Sequence, residues 1–429
     1  MPLLSTYKGL IQQIPAPKSL NPVESDSIYL PLTGLTGSLG TLILRALLDR
    51  PGINNIFCLN RTADGGRSVQ GPRFANVGWA DDDRLNTCVT FLQAKLSTSF
   101  PHIGRRNVLD ITHSSRGHDH NAWPVDFNSN SSAFRPHLAG LVNLCGFSAA
   151  ATPRTVQLFF ISSVGAVIGE ALQGGAAPET VPDSFEIQGP NGYPRSKFLS
   201  ELLCDAVAKH LWIPVTVVRV GQVAGSVKLP GTWNRAEWLP SLVISSLHLN
   251  CLPENLRTRF SEVDWVPSDL LADAVVDLAT AKCSSSPERE TCLGTTAYNL
   301  KNPSTTTWDK LLPTTYIVEG ASTMQQGQGC ELEIVSPSVW VERLQQSMAA
   351  VTDNENTDVP AAAAANPAIR LLDFYQSSLW GSNIVATRPM SVENAVQASP
   401  TPGAMPSVSA KWMRKWVDEW LATAWRPTQ

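Results

Sequence analysis

The sequence predicts an α/β fold, a doubly wound parallel sheet followed by a smaller, mainly helical C-terminal lobe. From Ser27 onward, apolar segments bounded by turn residues alternate with amphipathic segments, and a glycine-rich turn follows the first apolar segment. After Gly225 this alternation stops, and proline, tryptophan and short helical patterns replace it. We therefore expect an N-terminal linker or helix over residues 1–27, a first domain over 28–225, and a second, not fully independent lobe over 226–429.

Short apolar segments rich in β-branched residues are predicted to form the strands of the sheet. In chain order they are SIYLPLTG, NIFCLN, VTFLQA, the weaker VLDITH, VQLFFISS and TVVRVG. Helices are predicted where apolar residues recur at three- and four-residue spacing, because that spacing places them on one helical face. These segments are TLILRALLDR, FRPHLAGLVNLCGFSAA and GYPRSKFLSELLCDAVAKHL.

Two C-terminal segments have unusual composition. Residues 351–366 are polar and then alanine-rich, which predicts a loop or an internal linker. Trp412, Trp416 and Trp420 recur at a spacing that places them on one helical face. We expect this face to pack onto the body of the protein, and a docking surface is the alternative.

Composition restricts the class of protein. The chain has 429 residues, of which 43% are hydrophobic and 16% charged, enough apolar material for a sizeable interior. A formal net charge of -4 provides no basic field for nucleic acid or for an anionic membrane. No segment has the roughly 18 consecutive apolar residues of a membrane span, and no signal-peptide pattern begins the chain. The eight cysteines show no metal-ligand spacing and are interpreted as reduced thiols. We expect a soluble, cytoplasmic, monomeric protein without a metal site.

A glycine-rich turn, Thr33-Gly34-Leu35-Thr36-Gly37-Ser38-Leu39-Gly40, directly follows the first predicted strand. Its glycines permit a tight turn, a close approach of the backbone to a pyrophosphate, and close packing of helix on strand. The helix that follows offers N–H groups and a partial positive charge to the phosphates. A purely steric role for the glycines is the alternative. The position after the first strand favours a Rossmann-type dinucleotide site.

The second predicted strand ends at Asn60 and Arg61, where an enzyme specific for NAD would place an acid for the ribose 2′-hydroxyl. That acid is absent from the sequence. Arg61 instead offers a planar cation suited to a 2′-phosphate, which favours NADPH. An ordinary surface arginine is the alternative. Arg67 and Arg73 follow in the next loop and have no assigned role.

Tyr193 and Lys197 are the candidates for the reacting pair. Their YxxxK spacing places both on one helical face, where an ammonium would favour the phenolate and make the tyrosine a better general acid or base. The lysine can also hold the hydroxyls of the nicotinamide ribose. Ser162 and Ser163 end the preceding apolar strand. Strand alternation directs Ser162 to the core and leaves Ser163 to hydrogen-bond a substrate carbonyl.

The order of glycine turn, serine strand and YxxxK helix resembles the extended short-chain dehydrogenases. Further segments resemble the thioester reductase domains that end fungal nonribosomal-peptide-like and polyketide synthases. These are HNAWPVDFN, FFISSVGAV, GYPRSKFLSELL, VVRVGQVAG, WNRAEWLPSLVISS and VDWVPSDLLADAV. The similarity covers roughly residues 28–310 in order, with a looser match to the C-terminus. Relatives include the reductase domains of carboxylic acid and aminoadipate reductases.

The resemblance implies a lobe that binds NADPH and a C-terminal lobe that receives an acyl-phosphopantetheine arm. Ser163, Tyr193 and Lys197 match the family's catalytic triad. The implied cofactor residues are Thr33, Gly34, Thr36, Gly37, Ser38, Leu39 and Gly40 at the pyrophosphate, Asn60 and Arg61 at the 2′-phosphate, and Asn121, Ala122, Tyr193, Lys197, Val220, Gly221 and Gln222 near the nicotinamide. The implied substrate residues are Trp123, Pro124, Trp233, Asn234 and Trp238.

The sequence departs from the family at two places. Lys95 stands where the family usually has an acid near the adenine, so that contact has no assigned residue. The segment ITHSSRGHDHNAWP is longer and more polar than the strand expected before HNAWP, so that strand is expected to be distorted. Its histidines, His113, His118 and His120, lack a carboxylate–cysteine set and are interpreted as exposed loop residues.

The activity implied is NADPH-dependent reduction of an acyl thioester carried by a phosphopantetheine arm on an acyl carrier (thiolation) domain. The product is an aldehyde, and a second reduction would give an alcohol. Two alternatives remain open: a carbonyl reductase or nucleotide-sugar epimerase on the same fold, and a non-catalytic sensor that binds NADP and reports to a protein partner. The complete set of Ser163, Tyr193 and Lys197 argues against the sensor.

Overall fold

The computed structural model of the chain describes residues 2–17, 28–79, 83–98, 117–126, 129–150, 157–169, 175–182, 185, 189, 191–231, 233–256, 260, 262–281, 294–312, 332–352, 365–381 and 389–424. The chain divides into two units. The first unit comprises Met1–Gly221, Ser268–Lys301 and Arg388–Ala404, and the second comprises Gln222–Pro267, Asn302–Thr387 and Met405–Gln429.

The secondary structure alternates between strands and helices over the first half of the chain. The strands are β1 Ile28–Thr33, β2 Ile53–Asn60, β3 Val89–Gln93, β4 Gly117–His120, β5 Gln157–Ser163, β6 Val215–Val220, β7 Val223–Ala224, β8 Cys251–Pro253, β9 Glu262–Val263, β10 Val266–Pro267, β11 Thr295–Leu300, β12 Thr306–Thr307 and β13 Glu333–Val335. The helices are α1 Pro2–Gln12, α2 Ser38–Leu48, α3 Arg67–Asn76, α4 Arg84–Thr87, α5 Arg135–Ala150, α6 Gly192–Leu211, α7 Trp238–His248, α8 Ser268–Thr280, α9 Trp308–Leu311, α10 Pro337–Thr352, α11 Glu393–Ala398, α12 Pro400–Gly403 and α13 Ala410–Ala424.

The first unit is built on a sheet that has seven strands within the described residues, in the order β11-β6-β5-β4-β1-β2-β3. Every neighbouring pair is parallel. The chain moves outward from β1 to β3 and then returns to β4 on the other side of β1. This reversal is the topological switch point of a doubly wound sheet, and a nucleotide binds at the carboxyl ends of the strands that flank it. The α/β fold class predicted from the sequence is confirmed.

The structure confirms the predicted strands β1, β2, β3, β5 and β6 and the predicted helices α2, α5 and α6. The segment VLDITH lies outside the described residues. The strand between β1 and β5 is instead Gly117–His120, a polar segment in which the sequence showed no strand pattern. Its backbone pairs with both neighbours, since Asp119 lies beside Leu32 and Phe159. Backbone pairing on both sides, rather than apolar side chains, therefore defines this strand.

The domain boundary expected between residues 225 and 226 does not separate the two units, because the first unit also contains two later segments of the chain. Thr295–Leu300 pairs with β6 as the seventh strand of the main sheet. Among the described residues this strand pairs with β6 alone, and its sequence, TTAYNL, alternates weakly between polar and apolar residues. It therefore carries little apolar signal. The later segment Arg388–Ala404 also belongs to the first unit, where the side chains of Ser399 and Thr401 each donate to Asp277 Oδ2 at 2.7 Å.

Helices α1, α5 and α6 pack together in the first unit. Leu4, Tyr7 and Ile11 recur at three- and four-residue spacing on α1 and are buried in one hydrophobic cluster with residues of α5, α6, β5 and β6. The Tyr7 hydroxyl donates to the carbonyl oxygen of Arg135 at 2.9 Å. The N-terminal segment therefore begins as a helix of the first unit.

The second unit is held together by a tryptophan-rich core. Trp416 and Trp420 of α13 are fully buried in this cluster, and Trp412 packs against its edge. The prediction that this helical face packs inward is confirmed for the described residues. Most of the predicted 351–366 loop lies outside the described residues. No helix in the described part of the chain is long and apolar enough to cross a membrane.

Candidate active site

The glycine turn between β1 and α2 is too tightly packed for side chains at two of its glycines. Gly34 has a φ of +73°, and a Cβ there would lie 2.6 Å from the backbone of Asn121–Ala122. A Cβ on Gly40 would lie 2.6 Å from Cα of Leu35. Gly37 differs, because the nearest neighbour of a Cβ there would be the Gly34 carbonyl oxygen at 3.4 Å. Packing therefore requires Gly34 and Gly40, whereas the exposed Gly37 keeps open the space in front of the α2 N-terminus.

This difference predicts separate effects of two alanine substitutions. Gly40→Ala is expected to lower the midpoint of thermal unfolding by several degrees, because overpacking costs about 1–3 kcal/mol. Gly37→Ala is expected to leave that midpoint nearly unchanged and to weaken dinucleotide binding about tenfold or more, because its methyl group would occupy the path of the pyrophosphate. Thermal unfolding and a dinucleotide titration measure the two effects. Unchanged dinucleotide affinity in Gly37→Ala would contradict the assignment of the turn.

Three residues pack closely at the end of β2. The Thr36 hydroxyl donates to Asn60 Oδ1 at 3.3 Å, and a Cβ on Gly66 would lie 2.8 Å from Thr36 Cγ2 and 2.9 Å from Asn60 Nδ2. Asn60 is buried, and Nδ2 has no hydrogen-bond partner among the described residues. Because buried amides are normally paired, this N–H group is available to a ligand oxygen. The end of β2 therefore fits the adenosine side of a dinucleotide.

Arg61 is exposed beside this cluster and forms no ion pair with any residue that the structure describes. Arg67 is engaged, since it donates to Asn86 Oδ1 at 2.5 Å. The carboxylate of Asp64 accepts the backbone N–H groups of Gly66, at 3.0 Å, and Ser68, at 2.7 Å, so the start of α3 is already capped by the protein. Arg61 is therefore an exposed cation at the end of β2 that can meet an anionic ligand.

The carboxyl ends of β1 and β4 are joined by a buried hydrogen-bond chain. Thr33 Oγ1 lies 2.8 Å from His120 Nδ1 and accepts the Ala122 N–H at 3.3 Å. His120 is 1% exposed, which corrects the expectation of an exposed loop histidine. Burial and the nearby charge of Lys197 lower the pKa of His120 to about 3, so the ring is neutral at physiological pH. The segment that carries Asn121 and Ala122 is thereby fixed at the switch point.

Ser163 and Tyr193 are brought together at the carboxyl end of β5. Ser163 Oγ accepts the Gly165 N–H at 3.2 Å, and the Ser163 side chain hydrogen-bonds the Tyr193 phenol. Tyr193 lies in the first turn of α6 and is 7% exposed. Burial raises the pKa of Tyr193 to about 12, and the hydrogen bond with Ser163 offsets part of that increase. The phenol therefore keeps its proton at neutral pH and can donate it.

Lys197 lies one helical turn after Tyr193 and is buried. Its Nζ donates to the carbonyl oxygen of Ile161 at 2.6 Å and lies 5.9 Å from the centre of the Tyr193 ring. Burial lowers the pKa of Lys197 to about 7, while the negative charge of Glu201 raises it in part. The expectation that this lysine brings the pKa of Tyr193 down is therefore corrected: burial disfavours the charged form of both groups.

Ser162 points into the core, as strand alternation predicts. Its hydroxyl donates to Glu201 Oε1 at 2.5 Å, and Glu201 forms an ion pair with Arg219 at 2.8 Å in which both side chains are 0% exposed. Arg219 also donates to the carbonyl oxygens of Pro178 and Thr180, at 3.0 and 2.6 Å. This network joins β5, α6 and β6 directly behind Ser163.

The strand-end segment expected beside the nicotinamide spans the boundary of the two units. Val220 ends β6 and is buried, and the N–H of Gly221 donates to the carbonyl oxygen of Leu300 at 3.0 Å in the first unit. Gln222 begins the second unit, where its Oε1 accepts the indole N–H of Trp238 at 3.0 Å.

The predicted substrate residues of the second unit differ in exposure. Trp233 and Trp238 are 4% and 9% exposed and belong to the tryptophan-rich core, whereas Asn234 is exposed. The indole N–H of Trp233 donates to Glu237 Oε2 at 2.8 Å. In the first unit, Pro124 is exposed and Trp123 half-buried. Contact of these residues with a substrate stays a prediction.

Four buried polar residues near the predicted site had no site role assigned from the sequence. His120, Ser196, Glu201 and Arg219 are all buried polar side chains. Glu201 follows Lys197 at helical spacing and Arg219 interrupts an otherwise apolar strand, so a buried ion pair was detectable as a pattern. His120 gave no such signal, since its strand had no apolar pattern.

Two groups of residues fit a nicotinamide dinucleotide and a carbonyl substrate. The first is the glycine turn with the unpaired Asn60 amide, and the second is the set of Ser163, Tyr193 and Lys197. Comparison with known proteins agrees. Residues 32–275 match the model of an NAD-binding family described as Male sterility protein. Carboxylic acid reductase of Neurospora crassa is 28% identical over 417 residues, covering 95% of this chain and 36% of that protein. The chain spans about a third of the length of this relative and of two adenylate-forming reductases that it also matches.

Solved structures show the same fold. The terminal R domain from the myxalamid PKS-NRPS biosynthetic pathway superposes with a TM-score of 0.74 at 18% identity, covering 99% of both chains. A thiolation-reductase di-domain from an archaeal non-ribosomal peptide synthetase gives a TM-score of 0.61 at 17% identity, covering 97% of this chain and 79% of that one. The resemblance to reductase domains that the sequence indicated is confirmed in family and fold. The chain belongs to the Male sterility protein family of NAD-binding domains.

Proposed function

We propose that this chain is an NADPH-dependent thioester reductase that releases a carrier-bound acyl group as an aldehyde. The observation that carries the proposal is the contact between Ser163 and Tyr193. A serine hydroxyl hydrogen-bonds a buried phenol whose raised pKa keeps it protonated, at the carboxyl end of β5. Such a pair of donors suits a carbonyl oxygen that acquires negative charge during reduction.

Ser163, Tyr193 and Lys197 have different roles in this reaction. When bound, the nicotinamide supplies the hydride that reduces the carbonyl carbon. Ser163 and Tyr193 stabilise the oxyanion, and Tyr193 transfers its proton to that oxygen. Lys197 holds the ribose hydroxyls and, when protonated, provides a positive charge beside the site. The resulting hemithioacetal then collapses: its carbon–sulfur bond breaks, its hydroxyl proton passes to the departing sulfur, and the aldehyde and the free thiol are released.

Arg61 supports the choice of NADPH over NADH. Asp64 already caps the start of α3, so the guanidinium rather than the helix terminus is the group suited to a 2′-phosphate. Arg61→Ala is expected to raise the Michaelis constant for NADPH and to leave that for NADH nearly unchanged. Loss of a charge-assisted hydrogen bond costs about 1.5–3 kcal/mol, and each 1.4 kcal/mol is a factor of about ten.

The matched control for this prediction is Arg67→Ala, because Arg67 is also exposed but donates to Asn86 Oδ1. Steady-state rates with both cofactors measure the preference. If the unmodified protein used NADH and NADPH equally well, the interpretation of Arg61 would be wrong.

The partner we propose is an acyl carrier (thiolation) domain whose phosphopantetheine arm presents the thioester. A thiolation-reductase di-domain is among the structures that share this fold, and the chain covers 36% of the length of the Neurospora crassa carboxylic acid reductase. We further propose that the protein acts in the cytoplasm, a reducing compartment, which suits the free cysteines in the described part of the chain.

The proposal is tested by following NADPH absorbance with a panel of acyl-pantetheine thioesters and identifying the products. Thioester-dependent oxidation of NADPH with release of an aldehyde is expected. Turnover of simple ketones without any reaction of thioesters would assign the chain to the carbonyl reductases instead.

A further inference from the structure

Aromatic rings enclose the ammonium group of Lys197. Its Nζ lies 4.7 Å from the ring centre of Trp123 and 4.8 Å from that of Phe160, within cation–π range. The lysine is 3% exposed, and its Nζ donates a hydrogen bond to the Ile161 carbonyl oxygen. An ammonium that has lost its water shell is costly to bury. The two ring faces offset part of that cost and define where the charge can reside.

Trp123 is also linked to the first turn of α6, which carries Tyr193. Its indole N–H donates to Ser196 Oγ at 3.0 Å, and the Ser196 hydroxyl donates to the Tyr193 carbonyl oxygen at 2.7 Å. Ser196 is fully buried, so water does not compete for these bonds. One side chain therefore contacts Lys197 through its ring face and the Tyr193 turn through its N–H group.

The position of the Trp123 ring is itself fixed. Its backbone N–H donates to the Asn121 carbonyl oxygen at 2.9 Å. The ring stacks on Phe134 at an interplanar angle of 10° and a centroid distance of 6.4 Å, and meets Phe160 edge-on at 5.7 Å. Rings held on two sides in this way cannot change rotamer without disturbing their neighbours.

We propose that Trp123 is a positioning residue for the reacting pair: its ring holds the Lys197 ammonium and its N–H group holds the turn that carries Tyr193. This inference rests on the proposed function and deepens it. It gives Trp123 a role beyond the substrate contact that the family resemblance implies.

The first test measures Lys197 without any substrate. The purified protein is treated with an amine-selective acylating reagent, and the rate of modification at each lysine is followed by peptide mass spectrometry. Lys209 lies on the same helix with a side chain that is 76% exposed and serves as the internal reference. In the unmodified protein we expect Lys197 to react at least about tenfold more slowly than Lys209. Trp123→Leu should raise the Lys197 rate about fivefold or more, and Trp123→Phe, which keeps a ring, should stay near the original rate.

The second test separates the two contacts of Trp123 by kinetics with a thioester substrate. Trp123→Leu is expected to lower kcat about tenfold or more, with rescue by Trp123→Phe to within a few fold. Ser196→Ala removes the N–H acceptor but leaves the ring. Because Trp123→Phe and Ser196→Ala delete the same hydrogen bond, their effects on kcat should not add in the double variant. Val125→Ala, at the neighbouring residue that is 68% exposed, is the control that should leave kcat unchanged.

The outcomes separate this inference from the function on which it rests. Equal Lys197 labelling in the unmodified protein and in Trp123→Leu would overturn it, as would a Phe variant as impaired as the Leu variant. Circular dichroism and thermal unfolding identify a variant that fails to fold, and the Phe variant and Ser196→Ala then decide the question. If the labelling pattern appears as expected but no thioester is reduced, the positioning contact stands and the proposed function fails.

Discussion

Tyr193→Phe is expected to lower kcat for thioester reduction by about 10²-fold or more while cofactor affinity stays close to that of the unmodified protein. The substitution removes the hydroxyl that hydrogen-bonds Ser163 and keeps the aromatic ring, whose centroid lies 6.3 Å from that of Phe134. General acids in positioned side chains contribute about 10²–10⁴-fold to a rate. Since burial holds the pKa of this phenol at about 12, the lost group is a protonated donor. Stopped-flow turnover and a dinucleotide titration measure the two quantities.

Tyr7→Phe is the matched control for this substitution. Tyr7 is also a mostly buried tyrosine of the first unit, and its hydroxyl donates to the backbone oxygen of Arg135, on helices that do not carry the site. Loss of the Tyr7 hydroxyl should lower the free energy of unfolding by about 1 kcal/mol and leave kcat unchanged. Turnover by Tyr193→Phe at the rate of the unmodified protein would show that another group protonates the substrate.

The sequence predicted the fold where local and global signals agree. Helix α6 was predicted over the same residues that the structure shows, because its apolar spacing and the YxxxK motif both indicate one helix. The seventh strand of the sheet was not predicted, and the fourth was expected only as a weak strand near VLDITH or a distorted one before HNAWP. Gly117–His120 and Thr295–Leu300 carry polar side chains at most positions, and they are strands because neighbouring strands satisfy their backbone groups.

The site shows a different limit of sequence reasoning. The motif gave the identity and order of Ser163, Tyr193 and Lys197, and it gave the inward direction of Ser162. It did not give the electrostatics, because a pKa depends on burial and on partners distant in the chain. The ammonium of Lys197 lies against the Ile161 carbonyl oxygen and the rings of Trp123 and Phe160. Burial of the phenol raises the Tyr193 pKa, where the motif alone had predicted a downward shift.

The chain is expected to reduce an acyl thioester on a phosphopantetheine arm or a short mimic, and to leave the corresponding free acid untouched. A carboxylate is anionic and resonance-stabilised, so addition of a hydride would place further negative charge on a charged group. Ser163 and Tyr193 form one oxyanion site, which suits a neutral carbonyl and not a dianion. A thioester carbonyl is neutral and weakly stabilised by resonance, and its thiolate is a competent leaving group.

The comparison that tests this expectation uses one acyl group in three forms: the free acid with ATP, the pantetheine thioester and the carrier-bound thioester. NADPH absorbance and product identification should show no reaction of the acid, because the sequence contains no GxxxxGK[ST] phosphate loop that would activate it. The carrier-bound form should react with the highest kcat/KM, since binding energy from the arm and the carrier helps to orient the carbonyl. The Tyr193→Phe variant serves as the blank for background oxidation.

Consumption of NADPH with the free acid would contradict the single-oxyanion mechanism. Failure of every thioester in a broad acyl panel, while ketones react, would replace the thioester reductase with a carbonyl reductase.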